Sequence, residues 1–282
     1  MPSNSTTNSW LFPPRTREVQ FDEKWSFVGK KEKHCDPDNP DDDEQGDNWD
    51  PVALDPEHRL VVSVVPGKRT PDHVRLLLED FQRRTAGRLM NLMTSDEYPA
   101  YREAILQVYG QTITPEPTGR PGRPRAPYQQ LPAELLYATV HKERENNRVV
   151  KVETRLIFGT AVALAAALVL SLVSAKVNTV FIERQNGSDR NRNERKTRKT
   201  YCFSKDWQVH EAVTYFTMFS YNFCWSVRTL RERDDAGRLQ EPRTPAMAAG
   251  LADHVWTLQE WLTFPGINRF EGVQRRCSSR QC

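Results

Sequence analysis

Arg17-Glu18-Val19-Gln20-Phe21-Asp22-Glu23-Lys24-Trp25-Ser26-Phe27-Val28 alternates in character. Val19, Phe21, Trp25 and Phe27 fall on one face; Gln20, Asp22, Lys24 and Ser26 fall on the other. Successive side chains of a strand point to opposite sides, so the stretch reads as a half-buried strand with Asp22 on its polar face. Outward from it, Glu32 to Glu57 holds eleven acidic residues against one lysine. Its stretch 32–50, broken by Asp-Pro, Asn-Pro and Gly46, buries too little surface to fold alone and is expected to be a mobile loop. Two short strands should follow, Pro51 to Leu54 and Leu60 to Val65, joined at Asp55-Pro56. Thr70-Pro71 starts a helix, with Thr as N-cap and Pro at the first position, whose stripe Val74, Leu77, Leu78 and Phe81 should face the sheet. Leu89 to Met93 reads as a buried strand leading to Asp96, and Pro99 to Tyr109 as the next helix.

Residues 112–132 form a linker of Pro, Gly and Arg around Gly119-Arg120-Pro121-Gly122-Arg123-Pro124-Arg125. A Gly-Arg-Pro core can lie in the narrow minor groove of A·T-rich DNA, but the stretch is more simply read as a basic linker with no partner. Leu135 to His141 and Val149 to Phe158 form a hairpin around Glu145-Asn146-Asn147. Leu156 to Ala175 is twenty residues without a charge, long enough to span a bilayer, yet half of them are Ala, Gly, Ser or Thr. The expectation is a strand ending near Phe158 and a buried Ala-rich helix after Gly159-Thr160, with no membrane span. Helices should then cover Val180 to Lys199 and Trp207 to Phe223, the second burying Val209, Val213, Phe216 and Phe219. Strands mixed with helices in this order predict an α/β fold with a mixed sheet flanked by helices. The expected division is a disordered tail 1–14, one domain 15–230 with the acidic loop 32–50 and an insertion at about 111–175, and a helical extension and tail at 231–282.

The net charge of the 282-residue chain is +3, but between Arg184 and Lys199 seven Lys or Arg face only Asp189 and Glu194. Such a basic stretch suits a polyanion, because each neutralised phosphate releases condensed counterions. Five cysteines without a Cys-x-x-Cys pair indicate neither a disulfide framework nor a zinc site. With no secretory signal, the expected compartment is the reducing cytoplasm.

Asp22 lies near the middle of the first strand and Asp96 just after the fourth, and Glu183 shares a helix face with Asn186 and Arg190. If the strands are neighbours, the three acids are placed to converge as hard oxygen ligands for magnesium. Phe21-Asp22-Glu23-Lys24-Trp25-Ser26-Phe27-Val28-Gly29-Lys30-Lys31 resembles the first catalytic motif of DDE transposases of the first-described insertion-sequence family, Asp-Glu-x-Trp-x-x-Val-Gly. Thr94-Ser95-Asp96-Glu97-Tyr98-Pro99-Ala100-Tyr101 is similar to the second motif, and Ile182-Glu183-Arg184-Gln185-Asn186 to the third, Glu-Arg-His-Asn. Arg198-Lys199, Phe203-Ser204-Lys205 and Tyr221-Asn222-Phe223 continue the likeness.

This resemblance, in blocks between Val19 and Leu230, implies a ribonuclease H-like fold and metal-dependent DNA cleavage and strand transfer. It assigns Asp22, Asp96 and Glu183 to catalysis and to two Mg2+ or Mn2+ ions. Arg184, Asn186, Arg190, Arg195, Arg198, Lys199 and Lys205 are assigned to DNA at the element's ends and target, in a homo-oligomer. Three departures stand out. The second and third acids are separated by 86 residues. Gln185 stands where the family often has His. The family's end-recognition region lies upstream of the first acid, where this sequence has 21 residues, so it reads as the downstream part of a longer product working with an upstream DNA-binding segment, or as a remnant. The competing readings are a nuclease of the same fold, a DNA-binding protein without catalysis, and a single-pass membrane protein.

Overall fold

In a computed structural model that describes residues 16–115, 126–146 and 148–264, the alternating stretch is β1 (Glu18–Val28), inside a six-stranded mixed sheet. β1 runs antiparallel to β2 (Gly46–Asp55), and β2 antiparallel to β3 (Leu60–Val64). After α1 (Pro71–Arg84) the chain returns as β4 (Leu92–Asp96), parallel to β1 on its other side. Next come α2 (Pro99–Tyr109) and a separate pair, β5 (Gln111–Ile113) with β6 (Tyr128–Gln130). Then β7 (Tyr137–Glu145) lies parallel to β4, and β8 (Arg148–Phe158) closes the edge antiparallel to β7. The resulting order is β3-β2-β1-β4-β7-β8. Helices α3 (Ala161–Leu170), α4 (Val180–Arg192), α5 (Trp207–Cys224), α6 (Pro245–Ala248) and α7 (Leu258–Thr263) complete the chain.

The strand period sorts the core into two layers. Val19, Phe21, Ala53, Leu60 and Val62 meet the stripe Val74, Leu77, Leu78 and Phe81 of α1 and Ala100, Tyr101, Ala104 and Ile105 of α2. Phe21 sits between Phe81, edge-on at 5.7 Å, and Tyr101, stacked at 5.5 Å. On the other face Val52, Leu54 and Val61 pack under Ile182 of α4 and Met218 and Tyr221 of α5. Each large side chain so buried contributes roughly 1.5–3 kcal/mol against the cost of ordering the chain. The Thr70 cap of α1 forms as expected, its hydroxyl accepting from the His73 amide.

Several expectations need correction. The polar face of β1 is not solvated: Gln20, Lys24 and Ser26 are buried beneath α4 and the segment after it. β2 begins at Gly46 rather than Pro51, taking Asp47 and Asp50 out of the expected loop; 3-10 turns at Glu32–His34 and Pro40–Asp42 occupy part of the rest. Of the expected insertion 111–175, β7 and β8 belong to the sheet, with Tyr137 to Val140 buried in it. α3 starts where expected, capped by Thr160, but has no fully buried residue, and Val169 is 84% exposed. It lies over the β7 side of the sheet, touching Leu92, Ala138 and Val140 with Leu164, Ala167 and Leu168. No helix among the described residues is long and apolar enough to cross a membrane. α4 stops at Arg192, and the residues to Lys199 form a 3-10 turn at Glu194–Lys196 and a loop. On α5 the buried face is His210, Thr214, Met218, Tyr221 and Asn222, while Val209 and Phe216 are exposed. The tail 1–14 and the Gly-Arg-Pro core at 119–125 lie outside the described residues.

Candidate functional site

Register decides which side chains meet. Phe21 pairs with Ser95 across the parallel β1–β4 pair, which sets Asp22 beside Asp96 on the face shared with Gln20 and Thr94. Asp96 in turn pairs with Val140 of β7, so Lys142, two residues on, rises from the same face. α4 crosses this face and is pinned at its start by Gln20. That side chain accepts the Ile182 amide at 3.0 Å and donates to the Asn178 carbonyl at 2.8 Å. The next residue on α4 is Glu183.

Lys142 Nζ donates to Asp96 Oδ1 at 3.3 Å, to Thr179 Oγ1 at 3.1 Å and to Glu183 Oε1. Thr179 Oγ1 lies 2.7 Å from Glu183 Oε1 and 3.3 Å from Asp96 Oδ1. Its single proton serves one of these acceptors at a time. Thr179 is the N-cap of α4, yet it makes no side-chain cap bond to the helix, its hydroxyl being engaged by the two acids. Asp22 accepts from Asn186 Nδ2 at 2.8 Å and from the Glu23 amide at 2.9 Å. Burial, then the nearby charges of Asp96 and Glu23 and that of Glu183, push its carboxyl up to about 7. Asp96 is no helix cap: the N-cap of α2 is Tyr98, without a side-chain cap bond.

The donor set fits a hard divalent ion in chemistry, since it is all oxygen and the charges of Asp96 and Glu183 add to the burial that raises the proton affinity of Asp22, a repulsion that a cation would relieve. Among the described residues no three His, Cys, Asp or Glu side chains already stand close enough together to hold a metal ion. In this arrangement the Lys142 ammonium lies between two of the acids, and the third is bonded to Asn186.

Beneath the acids a buried charge network fastens α4 to the sheet. Lys24 of β1 and Asp189 of α4 form a fully buried ion pair. Lys196 Nζ meets Asp50 Oδ2 at 2.6 Å, and His210 Nε2 lies 3.3 Å from Asp50 Oδ1. His210 Nδ1 in turn meets Ser204 Oγ at 3.0 Å. Burial opposes ionisation of Asp50, but Lys196 and His210 hold its carboxyl well below the usual range. Burial and then repulsion from Lys196 bring Lys24 down to about 8 against the pull of Asp189 and Asp50.

The residues expected to bind DNA are only partly assembled. Asn186 is buried against Asp22, and Arg190, half-buried, has its Nε unpartnered and feels the charges of Asp22 and Arg198. Arg184 is exposed, and its charge bears on Arg59 and Tyr221. Arg195 is half-exposed on the 3-10 turn, and Arg198 and Lys199 are exposed beyond it. Lys205 lies over the Phe203 ring beside the end of β1, where Val28 bridges Ser204, about 20 Å along the strand from Asp22. Gln185 is buried with an unpartnered Nε2.

Lys142, Thr179 and Gln20 escaped the sequence reading. Period two from Ala138 and Val140 carries Lys142 to the buried face, and Thr179 before Val180-Phe181-Ile182 is a helix-start signal four residues ahead of Glu183. Neither pattern by itself announces a site. The sequence matches no protein-family model and no curated protein.

Proposed function

We propose that this chain is the catalytic part of a DDE transposase on a ribonuclease H-like fold. The observation that carries the reading is the meeting of Asp96 and Glu183, from segments 86 residues apart, through Thr179 and Lys142, with Asp22 on the adjoining strand. Three antiparallel strands followed by β4 and β7, both parallel to β1, support that fold, as do helices on both faces, and β8 adds an antiparallel edge strand. Asp22, Asp96 and Glu183 would hold two Mg2+ or Mn2+ ions. Bound there, the ions supply Lewis-acid activation of water or of a DNA 3'-hydroxyl and stabilise the leaving oxygen.

The protein's own groups do the rest. Asn186 orients Asp22, Gln20 fixes the register of α4, and Thr179 keeps Glu183 beside Asp96. Arg190, with Arg198 and Lys199 further along, supplies phosphate contacts that position a strand without reading its sequence. Reading of the element's end sequences falls to contacts other than these, and the chain acts on DNA as a homo-oligomer.

The test is cleavage of element-end DNA with Mg2+ by the full chain and by Asp22→Asn, Asp96→Asn and Glu183→Gln. Each substitution should lower cleavage roughly a thousandfold or more while DNA affinity holds, and double substitutions should be hardly worse, as for residues acting as one unit. Cleavage that survives any of the three removes that residue from the site. Joined products in a strand-transfer assay separate a transposase from a nuclease of the same fold.

A further inference from the structure

Lys142 stands where the two carboxylates most need a cation. Without one, Asp96 and Glu183 would repel across the Thr179 hydroxyl they share. The lysine side chain is 18% exposed, against 44% for Asp96 and 45% for Glu183, so the cation is the innermost of the three. Neighbouring basic side chains on β7 and β8 are committed elsewhere: Arg155 Nη1 donates to Glu97 Oε1 at 2.5 Å, and His141 Nδ1 meets the other oxygen of Glu97. An ammonium offers three donors on a flexible four-carbon stem, so it can leave its partners by rotating the stem while β7 stays in place.

We propose that Lys142 is a built-in counter-cation of the site. It holds Asp96 and Glu183 together in the metal-free chain and competes with a divalent ion for the same oxygens, so it sets the metal concentration at which the site loads. The proposal rests on the metal-site reading of these two acids. Its consequence is reciprocal: whatever the lysine contributes to the metal-free chain, it subtracts from metal affinity. Lys142 is then a positioning residue, acting through the carboxylates.

The test is Mn2+ binding to the full chain, followed by the electron paramagnetic resonance signal of free Mn2+, with thermal melting in chelator and at saturating Mn2+. Lys142→Met keeps the stem and removes the charge. It should bind Mn2+ about tenfold more tightly than the parent, within the usual range for coupled sites. It should also melt lower than the parent in chelator, and close that gap with Mn2+. Should Lys142→Met fold poorly by circular dichroism, Lys142→Gln supplies the same comparison. Mn2+ affinity unchanged or weakened by loss of the lysine, where Asp96→Asn still weakens binding, overturns the counter-cation and leaves the metal site standing. Absence of any Asp96-dependent Mn2+ binding in parent and variant overturns both.

Discussion

Raising the Asp22 carboxyl from its ordinary 3.8 to about 7 makes it a proton holder in the native chain. Between those two values the folded protein keeps a proton that the unfolded chain has released, so metal-free stability should fall as pH rises through the window. A single group gives a slope of at most about 1.4 kcal/mol per pH unit. Glu23, also raised by burial, adds to the slope in the parent. The diagnostic quantity is therefore the part of the slope that Asp22→Asn removes in urea melts without metal, and equal slopes in the two proteins would place the titrating group elsewhere. Asp22 and Asp96 were legible because strand alternation and the approach to the Pro99 helix marked where each carboxylate stands. Lys142 was not, since a lysine two residues beyond a buried strand position is ordinarily a solvated strand end, and only the parallel pairing of β7 with β4 turns it toward the acids.

At the scale of elements, the seating of α4 decides whether Glu183 reaches the site, and charges inside the protein do much of that seating. Breaking a fully buried ion pair strands the remaining charge, so Lys24→Met should cost about 3–5 kcal/mol in urea unfolding. Replacing Asp189 by Leu as well should recover most of the loss, because two apolar groups need no partners. A double variant as unstable as the single one would mean that the pair does not fasten the helix. These charges explain why α1 and α2 were readable while the far face was not. Helical spacing found Val74, Leu77, Leu78 and Phe81 because the stripe itself is apolar and packs on an apolar cluster. The layer under α5 is chosen by polar matches instead: the Asn222 side chain accepts from the Val61 amide at 2.9 Å and donates to its carbonyl at 2.8 Å, and His210 reaches Asp50. Those bonds turn Val209 and Phe216 outward, although hydrophobicity alone favoured them. The polar face of β1 misled for the same reason, since its buried Gln20 and Lys24 are satisfied by partners more than a hundred residues away.

For the whole molecule, the even spread of basic residues from Arg184 to Lys199 in the sequence separates into two populations in the fold. Lys196 is interior and bound to Asp50, and Arg192 lies over the ring of Tyr221 at 4.2 Å. Arg184, Arg198 and Lys199 remain exposed. Only exposed cations can exchange condensed counterions with DNA, so the salt dependence of duplex binding should respond to position rather than to charge count. Replacing Arg198 and Lys199 together by Ala should flatten the slope of log affinity against log salt by about 0.9 for each phosphate no longer neutralised, with melting temperature nearly unchanged. Lys196→Ala removes one positive charge from the same segment but leaves Asp50 with one buried partner fewer. It should lower the melting temperature by several degrees, about the effect of one to two kcal/mol in a domain of this size, while the folded fraction keeps the parent's salt slope. Fluorescence anisotropy with one labelled duplex across a salt series measures both variants. If Lys196→Ala flattens the slope by about 0.9, as the loss of one contact would, its ammonium reaches phosphate, and the division of this basic segment into a fastening half and a DNA-facing half is wrong.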